Sequence, residues 1–253
     1  MKFAYKELKE RVPEPEEEMS GMEALNYFKA KTTYREKTNW YHQVVTDILY
    51  RMNRVPHNCK ALDIGCGSGN LLYELQQTCP DIDVEGIDAS KTLLAAASAT
   101  STLNFKYCHA QNLKYPSNYF DLVICQDTFH HFVDPVQCLK EMSRVIKNDG
   151  VIYITDLRRD APIELIENAI KNISKNSISH TIFYLRSLKA SYTSLDMSDI
   201  LRKSNILDYE MINGSASPPV SSLISKICDI NERSRKDRLF KERWTVVIGN
   251  PKK

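Results

Sequence analysis

The residues whose types and spacing carry the clearest chemistry lie in the stretch Ala61 to Asn70, ALDIGCGSGN. Its apolar start predicts a buried strand, and Gly65, Gly67 and Gly69 leave the following turn almost free of Cβ atoms. Backbone amides in such a turn can approach a ligand closely. The spacing is G-x-G-x-G, whereas dinucleotide-binding turns carry G-x-G-x-x-G to seat a pyrophosphate on a helix N-terminus. The turn therefore predicts a nucleotide-type pocket that is not built for a pyrophosphate.

Two carboxylates beside this turn indicate the charge of the ligand. Asp63 stands two residues before the first glycine, where it attracts an ammonium group and repels a phosphate. Asp88 ends the next apolar run, VEGID, where a carboxylate can accept hydrogen bonds from both hydroxyls of a ribose. A ligand that combines an adenosine ribose with an amino-acid ammonium is S-adenosylmethionine (SAM), so we expect SAM in this pocket.

The elements that position these residues follow from an alternation of apolar runs and helical patterns. The runs KALDI, DVEGI, NFKYCHA, FDLVICQ and GVIYITD alternate with stretches such as NLLYELQQT and DPVQCLKEMSRVI. This pattern predicts a parallel sheet with helices on both faces, in which ligands bind beyond the carboxyl ends of the strands. ILDYEMI and WTVVIG are predicted as the closing strands, with a helix near residues 221–230 between them. Another helix is expected to start near Thr193 or Ser194.

The remaining segments predict the domain organisation. Residues 1–19 are charged and proline-containing, which favours a flexible tail. Residues 20–55 are predicted to form a helical lid, and residues 56–253 the SAM-binding domain with a helical cap inserted at 161–194. The predicted contacts to a methyl acceptor are Tyr27, Tyr34 and Tyr41 in the lid and Arg158 after the fifth strand.

The bulk properties exclude several classes of partner. A net charge of +2 gives no global field for nucleic acid or an anionic membrane, and the basic run at 231–243 is interpreted as a solvated helix face. Seven cysteines without a C-x-x-C pair signal neither a disulfide framework nor a zinc site. No apolar stretch reaches the roughly 18 residues of a membrane span. We expect a cytoplasmic protein, monomeric or homodimeric, with no membrane partner and no nucleic acid.

Residues from about 59 to 160, and more loosely to 249, resemble the class I SAM-dependent methyltransferases. The first motif of that family has the form D/E-x-G-x-G-x-G. The stretch NYFDLVICQDTFHHFVDPVQCLKEMSRVIKNDGVIYITD is similar to the fourth and fifth strands of its ubiquinone/menaquinone-type and small-molecule branch. The resemblance implies a Rossmann-like, doubly wound α/β fold with a seven-stranded, mostly parallel sheet whose last strand is antiparallel. It also implies SAM as cofactor and S-adenosylhomocysteine (SAH) as product.

The resemblance assigns the cofactor contacts residue by residue. The third motif of the family is of the G-D-A-E-N-L type and holds the adenine, and it corresponds here to residues 108–113, with His109 in place of the usual Asp. An imidazole accepts the adenine amino hydrogen only through an unprotonated nitrogen. The implied cofactor contacts are Asp63, Gly65, Cys66, Gly67, Gly69, Asp88, Ala89, His109, Ala110, Gln111, Gln126 and Asp127.

Methyl transfer from a sulfonium needs alignment and a dry site, and a base only when the acceptor carries a proton to be removed. HHFVD follows the fourth strand and is similar to the H-x-W-x-D stretch of plant-type O-methyltransferases, which assigns the base to His130, with His131 as the second candidate. A packing role at the sheet edge is the alternative for His130. Asp134 is placed to cap the next helix. We expect no metal, because adjacent histidines on a loop diverge.

Three functions remain open from the sequence. The first is a SAM-dependent methyltransferase that acts on oxygen, nitrogen or carbon of a small organic acceptor. The second is a methyltransferase of RNA or protein, which the weak net charge and QDTF in place of [DN]-P-P-[YF] disfavour. The third is a SAM-binding protein with other chemistry or a regulatory role, and the substitution at His109 favours it.

Overall fold

The computed structural model describes residues 8–14, 19–37, 40–52, 58–175, 178–213 and 243–249, without the side chains of 34–37. The strands are β1 (Lys60–Ile64), β2 (Asp83–Asp88), β3 (Asn104–Tyr107), β4 (Phe120–Gln126), β5 (Ile146–Leu157), β6 (Tyr209–Asn213) and β7 (Arg243–Ile248). The helices are α1 (Gly21–Lys37), α2 (Trp40–Met52), α3 (Asn70–Thr78), α4 (Lys91–Thr100), α5 (Pro135–Val145), α6 (Ile163–Ser174), α7 (Ile178–Ala190) and α8 (Ser194–Lys203).

The strands form one seven-stranded sheet in the order β3-β2-β1-β4-β5-β7-β6. Strands β1 to β5 pair in parallel, and β7 runs antiparallel between β5 and β6. This confirms the predicted doubly wound sheet with an antiparallel last strand. Because β1, β2, β4 and β5 are parallel, their carboxyl ends meet at one edge, where the glycine turn lies.

Apolar side chains cover both faces of the sheet. On one face, Val44, Ile48 and Met52 recur at helical spacing on α2 and pack with residues of α3 and the sheet. On the other face, Leu139 of α5 and Leu201 of α8 belong to the second cluster. Burial of each such side chain contributes about 1.5–3 kcal/mol. Helix α2, which lies within the predicted lid, is therefore mostly part of the core and reaches the cavities described below only with Trp40 and Tyr41 at its start. Helix α1 reaches these cavities with Tyr27 and Lys31.

Local capping signals in the sequence specify two helix starts. Thr193 caps α8, accepting a hydrogen bond from the Asp196 amide while the Asp196 carboxylate accepts one from the Thr193 amide. Asp134 caps α5 through the Gln137 amide at 2.9 Å, and Pro135 occupies the first helical position. Both starts confirm the sequence prediction.

Helices α6 and α7 account for most of the predicted insertion at 161–194. The helix predicted near 221–230 and the basic run up to residue 242 lie outside the described residues. Within the described part of the chain, no helix has the length and apolar character needed to cross a membrane.

Candidate cofactor and acceptor site

The glycine turn is held against the end of β2 by hydrogen bonds from its own backbone. The amides of Gly65 and Cys66 both donate to the Ile87 carbonyl, at 2.8 and 3.0 Å. The Gly67 amide donates to Asp88 Oδ2 at 2.8 Å. The acidic residue that ends β2 therefore fixes the shape of the turn that follows β1.

Two glycines of the turn are required for different reasons. Gly65 has φ +73°, and a Cβ atom there would lie 2.1 Å from Thr128 Cγ2, so the position has no room for a side chain. Gly67 has φ +52°, but a Cβ there would meet only the Tyr27 ring, 3.9 Å away. Gly65 is thus needed for packing, whereas Gly67 keeps its side of the turn open to a ligand.

The two carboxylates at the turn, of which Asp63 is buried and Asp88 half-buried, repel each other. Burial and the charge of Asp88 raise the pKa of Asp63 to about 8. Burial also raises the pKa of Asp88, although its carboxylate accepts hydrogen bonds from the Gly67 and Ser90 amides, the latter at 2.7 Å. A ligand ammonium beside Asp63 would offset both effects. The charge of the site therefore fits the amino-acid end of SAM and opposes a phosphate.

Two adjoining cavities contain most of the predicted cofactor contacts. The larger, which we name the cofactor cleft, has a volume of about 270 Å³ and is lined by Gly65, Gly67, Asp88, Ala89, His109, Ala110, Gln111 and Asp127, among others. The smaller, the inner pocket, has about 30 Å³ and is lined by Asp63, Gly65, Cys66, Gly67, Gln126 and Asp127, with Tyr27 and Tyr41. His109 forms a hydrogen bond through Nε2 with the Tyr107 hydroxyl at 2.9 Å.

Two predicted cofactor residues have additional or different roles. Gly69 lines neither cavity, and a Cβ there would lie 2.5 Å from the Phe105 ring, so it serves packing. Asp127 lines both cavities, but its carboxylate already binds the Arg243 guanidinium and lies 3.8 Å from Lys31 Nζ. Although burial raises the pKa of Asp127, these two cations outweigh it and lower the pKa below its ordinary value.

A third cavity, which we name the side chamber, has a volume of about 80 Å³. It lies between the strand ends, α1, α7 and residues 8–14, and its lining includes Glu14, Lys31, His130, His131, His180 and Tyr184. Tyr27 and Asp127 line all three cavities and so border both the cofactor side and the side chamber.

The predicted acceptor contacts are only partly brought together. Tyr27 lines the side chamber as well as both cofactor cavities, whereas Tyr41 lines the inner pocket. Arg158 lines none of the three cavities, and its guanidinium is paired with Asp160 at 3.1 Å. The side chain of Tyr34 lies outside the described part of the chain.

His130 is held rigidly by a buried carboxylate. Its Nδ1 lies 2.8 Å from Asp156 Oδ1, and its backbone amide donates to Asp156 Oδ2 at 2.9 Å. Asp156 is fully buried at the end of β5. Burial lowers the pKa of His130, but the carboxylates of Asp156 and Glu14 outweigh it and raise the pKa to about 9. This arrangement leaves Nε2 directed at Glu14 in the side chamber.

The prediction that the two adjacent histidines diverge is wrong. The rings of His130 and His131 lie 4.1 Å apart, because both residues belong to a 3-10 turn, Phe129–His131, rather than to an extended loop. Glu14 Oε2 lies 3.5 Å from His130 Nε2 and 3.5 Å from His131 Nδ1. Burial and the charge of His130 lower the pKa of His131 to about 4. These three residues are the group in the described part of the chain that can hold a metal ion.

Sequence reasoning did not identify Asp156, Glu14, Lys31 or Arg243 as site residues. Asp156 could have been found from the sequence, because it ends the apolar run GVIYITD just as Asp88 ends VEGID. An acidic residue at the end of a predicted parallel strand is a candidate site residue. Glu14 had none, since it lies 116 positions before His130 in the chain and its segment has the composition of a mobile tail.

Comparisons with known proteins agree with this fold and cleft. A sequence profile described as a methyltransferase domain matches residues 56–212. A demethylmenaquinone methyltransferase of Bacillus licheniformis is 29% identical over 116 residues, which are 44% of this chain and 50% of that protein. The uncharacterized methyltransferase YcgJ of Bacillus subtilis is 29% identical over 103 residues, 38% of this chain and 40% of that protein. The matched region thus spans about half the length of these relatives, or less.

Solved structures show the same architecture. The plantazolicin methyltransferase BpumL, in complex with SAH, superimposes with a TM-score of 0.63 and 20% identity, covering 88% of this chain and 89% of that one. The YcgJ structure gives a TM-score of 0.52 and 18% identity, covering 81% and 98%. The fold is that of the class I SAM-dependent methyltransferases. The chain belongs to the methyltransferase-domain family, and its cofactor is SAM.

Proposed function

We propose that this protein transfers the methyl group of SAM to an oxygen, nitrogen or carbon atom of a small organic acceptor and releases SAH. The observation that carries the proposal is the side chamber, which adjoins the cofactor cavities at Tyr27 and Asp127 and has a volume of about 80 Å³. A chamber of this size, walled by α1, α7 and Glu14, suits a small acceptor better than a macromolecule.

Methyl transfer requires mainly that the protein align the acceptor atom with the methyl group of SAM. The nucleophile displaces the sulfonium in line, the methyl–sulfur bond breaks, and its electron pair returns to sulfur as SAH is formed. Because charge on sulfur is neutralised in this step, a dry site favours it. Tyr27 and Tyr184 supply aromatic walls on the side of the acceptor, and both lie in the lining of the side chamber.

We assign the general base to His130 for an acceptor that must lose a proton. Asp156 accepts the Nδ1 proton and so fixes the tautomer with Nε2 facing the side chamber. In the arrangement without acceptor, Glu14 and Asp156 together keep His130 protonated. An acceptor hydroxyl that takes the place of Glu14 beside Nε2 removes one of these carboxylates, which favours the neutral imidazole. His131, one-third exposed beside it, is the second candidate.

The relatives support a small acceptor. One relative is a demethylmenaquinone methyltransferase and another a 27-O-demethylrifamycin SV methyltransferase, and a structural neighbour is a plantazolicin methyltransferase. The proposal includes a cytoplasmic setting and a monomer or homodimer. The free thiols of the described cysteines support the reducing compartment.

The test is incubation of the protein with methyl-labelled SAM and a metabolite extract, followed by separation of small products from macromolecules. Labelled small products that are absent with the Asp88→Ala variant support the proposal. Label in RNA or protein alone contradicts it in favour of a macromolecular acceptor. SAM binding without any labelled product contradicts it in favour of a binding or regulatory protein.

A further inference from the structure

Three side chains at the side chamber have the chemistry of transition-metal ligands. We propose that Glu14, His130 and His131 together bind one divalent transition-metal ion, of which Zn²⁺ is the best fit. Their nearest ligand atoms, a carboxylate oxygen and two imidazole nitrogens, all lie within 4.8 Å of one another. They come from two parts of the chain, the N-terminal segment 8–14 and the 3-10 turn after β4.

The distances match a tetrahedral ion. Ligand atoms that each lie 2.0–2.1 Å from Zn²⁺ are separated from one another by about 3.3–3.4 Å across a tetrahedral edge. Glu14 Oε2 lies 3.5 Å from His130 Nε2 and 3.5 Å from His131 Nδ1, so two of the three edges are already formed. The third edge, between the two imidazole nitrogens, is no longer than 4.8 Å, and rotation of the more exposed His131 ring can shorten it.

His130 Nε2 provides the independent observation. The side chain is 1% exposed, and Nε2 has no hydrogen-bond partner among the described residues although it points into the chamber. Nδ1 is held by Asp156, which is how a carboxylate orients a metal-binding histidine so that its other nitrogen faces the ion. Glu14 is oriented in the same way, since its Oε1 lies 3.4 Å from Arg186 Nε while Oε2 faces the histidines.

The donor set selects the class of ion. Two imidazole nitrogens and one carboxylate oxygen suit Zn²⁺, Co²⁺ or Ni²⁺, whereas Ca²⁺ and Mg²⁺ prefer oxygen ligands throughout. The Asp156 and Glu14 carboxylates offset the charge of the ion. Among the described residues, two guanidinium groups contact a ligand residue, that of Arg186 at the Glu14 carboxylate and that of Arg11 at the His130 backbone carbonyl. Three protein ligands leave a fourth position open toward the side chamber, as in zinc sites that keep an exchangeable ligand.

Metal binding also predicts an effect on methyl transfer, and this prediction alone rests on the proposed function. Nε2 has a single lone pair, so His130 cannot bind an ion and accept a proton from the acceptor at the same time. A bound Zn²⁺ should therefore lower methyl transfer, and removal of the ion with a chelator should restore it. The binding of the ion itself does not depend on turnover and can be measured without SAM.

The experiment titrates the full-length protein with Zn²⁺ against a chromophoric chelator and records the absorption spectrum of the Co²⁺-loaded protein. We expect one ion per chain, bound through nitrogen and oxygen. Glu14→Gln and His131→Ala should each weaken Zn²⁺ binding at least about tenfold. The matched control is His42→Ala, which removes a histidine paired with Glu74 at 2.9 Å outside the chamber and should leave zinc affinity unchanged.

Each outcome decides between the site and its absence. No Zn²⁺ bound at micromolar concentrations, equal affinity in wild type and Glu14→Gln, or a Co²⁺ spectrum with thiolate charge-transfer bands overturns the site. Zinc binding that Glu14→Gln weakens supports it, whatever the effect on turnover. If zinc raised turnover instead of lowering it, the site would stand and the base role of His130 would be contradicted.

Discussion

At the scale of single residues, Asp63 is a carboxylate held ready for a cation. Its pKa of about 8 means that it is mostly protonated at pH 6 in the free protein. The SAM ammonium should pair with the ionised form, so binding releases a proton and SAM affinity should rise between pH 6 and pH 8 by up to about tenfold per unit. Calorimetry at several pH values measures this, and Asp63→Asn should make affinity weak and independent of pH in that range. A flat profile in the wild type would contradict the pairing.

The same shift predicts the pH dependence of stability. The folded pKa of Asp63 lies above the unfolded value, so between about pH 4 and pH 8 the folded state binds more protons than the unfolded state. The contribution of Asp63 to stability is thus greatest at low pH and is lost as pH rises through 8. Melting temperatures of wild type and Asp63→Asn should converge as pH falls through this range, and saturating SAM should reduce the loss at high pH.

Asp88 is expected to have two roles, because it fixes the shape of the turn and is the proposed contact to the ribose of SAM. Asp88→Ala removes the acceptor of the Gly67 and Ser90 amide protons together with the proposed ribose contact. We expect SAM binding to weaken by about 1.5–3 kcal/mol, as for loss of a hydrogen bond to a charged group. The control is Asp83→Ala, an exposed carboxylate at the other end of β2, which should bind SAM as the wild type does. Equal affinity of Asp88→Ala in calorimetry would refute the assignment.

His130 separates binding from chemistry. Because it lines the side chamber and not the cofactor cleft or inner pocket, His130→Ala should leave SAM affinity unchanged. Turnover of an acceptor that must lose a proton should fall by about 10²–10⁴, the usual contribution of a general base. His42→Ala again serves as the histidine control. Turnover of His130→Ala equal to that of the control would assign the base elsewhere, and His131→Ala then tests the second candidate.

At the scale of elements, two glycines of the turn between β1 and α3 have different roles, Gly65 in packing and Gly67 in access of the ligand. Gly65→Ala forces a Cβ at φ +73° against Thr128, so it should lower the free energy of unfolding by more than the roughly 1–2 kcal/mol of backbone strain alone. Gly67→Ala adds backbone strain without a clash, since the nearest atom to the new Cβ is 3.9 Å away. The added methyl group projects into the space at the turn that is open to the ligand. Thermal unfolding should therefore rank Gly65→Ala as the less stable variant. SAM binding by the folded Gly67→Ala protein should be impaired; the reverse pattern would contradict this division.

The elements were predictable where one local rule decides them. Strands β1, β2, β4 and β5 are recognisable in the sequence as apolar runs. Helix α8 is capped by Thr193 because Thr193 and Asp196, three positions apart in the sequence, form a capping box. The turn residues that approach the cofactor were predictable for the same reason. The role of α2 was not, because an amphipathic helix before the first strand can cover either a ligand or the core, and only packing against α3 decides between them.

At the scale of the whole molecule, the side chamber depends on contacts between distant parts of the chain. The Asp127–Arg243 pair joins the end of β4 to the start of β7, and Glu14 meets His130 from the N-terminal segment. Such pairs leave no mark in the spacing of the sequence. The charged and proline-containing composition of residues 1–19 favours a tail, whereas residues 8–14 contact α6, α7 and the 3-10 turn. The residues of the cofactor cleft and inner pocket were therefore largely predictable from the sequence, whereas most residues of the side chamber were not.

Arg11 makes several of the contacts between this segment and the rest of the molecule. Its guanidinium donates to the carbonyls of Ala190 at 2.6 Å and His130 at 2.8 Å and lies 4.2 Å above the Tyr192 ring. In Arg11→Ala these contacts are lost, and we expect about 1.5–3 kcal/mol less stability for the docked segment. Hydrogen exchange at the Val12 amide, which donates to the Lys189 carbonyl at 3.0 Å, should accelerate.

The functional effect of Arg11→Ala should appear at the acceptor rather than at the methyl donor. Residues 8–14 contribute Glu14 to the wall of the side chamber and to the edge of the cofactor cleft. The carboxylates and glycines that define the cofactor site lie instead on β1, β2 and the turn between β1 and α3. We therefore expect a higher KM for the acceptor with a SAM affinity close to that of the wild type. Lys9→Ala, an exposed position in the same segment, is the matched control. Unchanged exchange at Val12, or a loss of SAM affinity without a change in acceptor KM, would show that the docked segment does not form the acceptor wall.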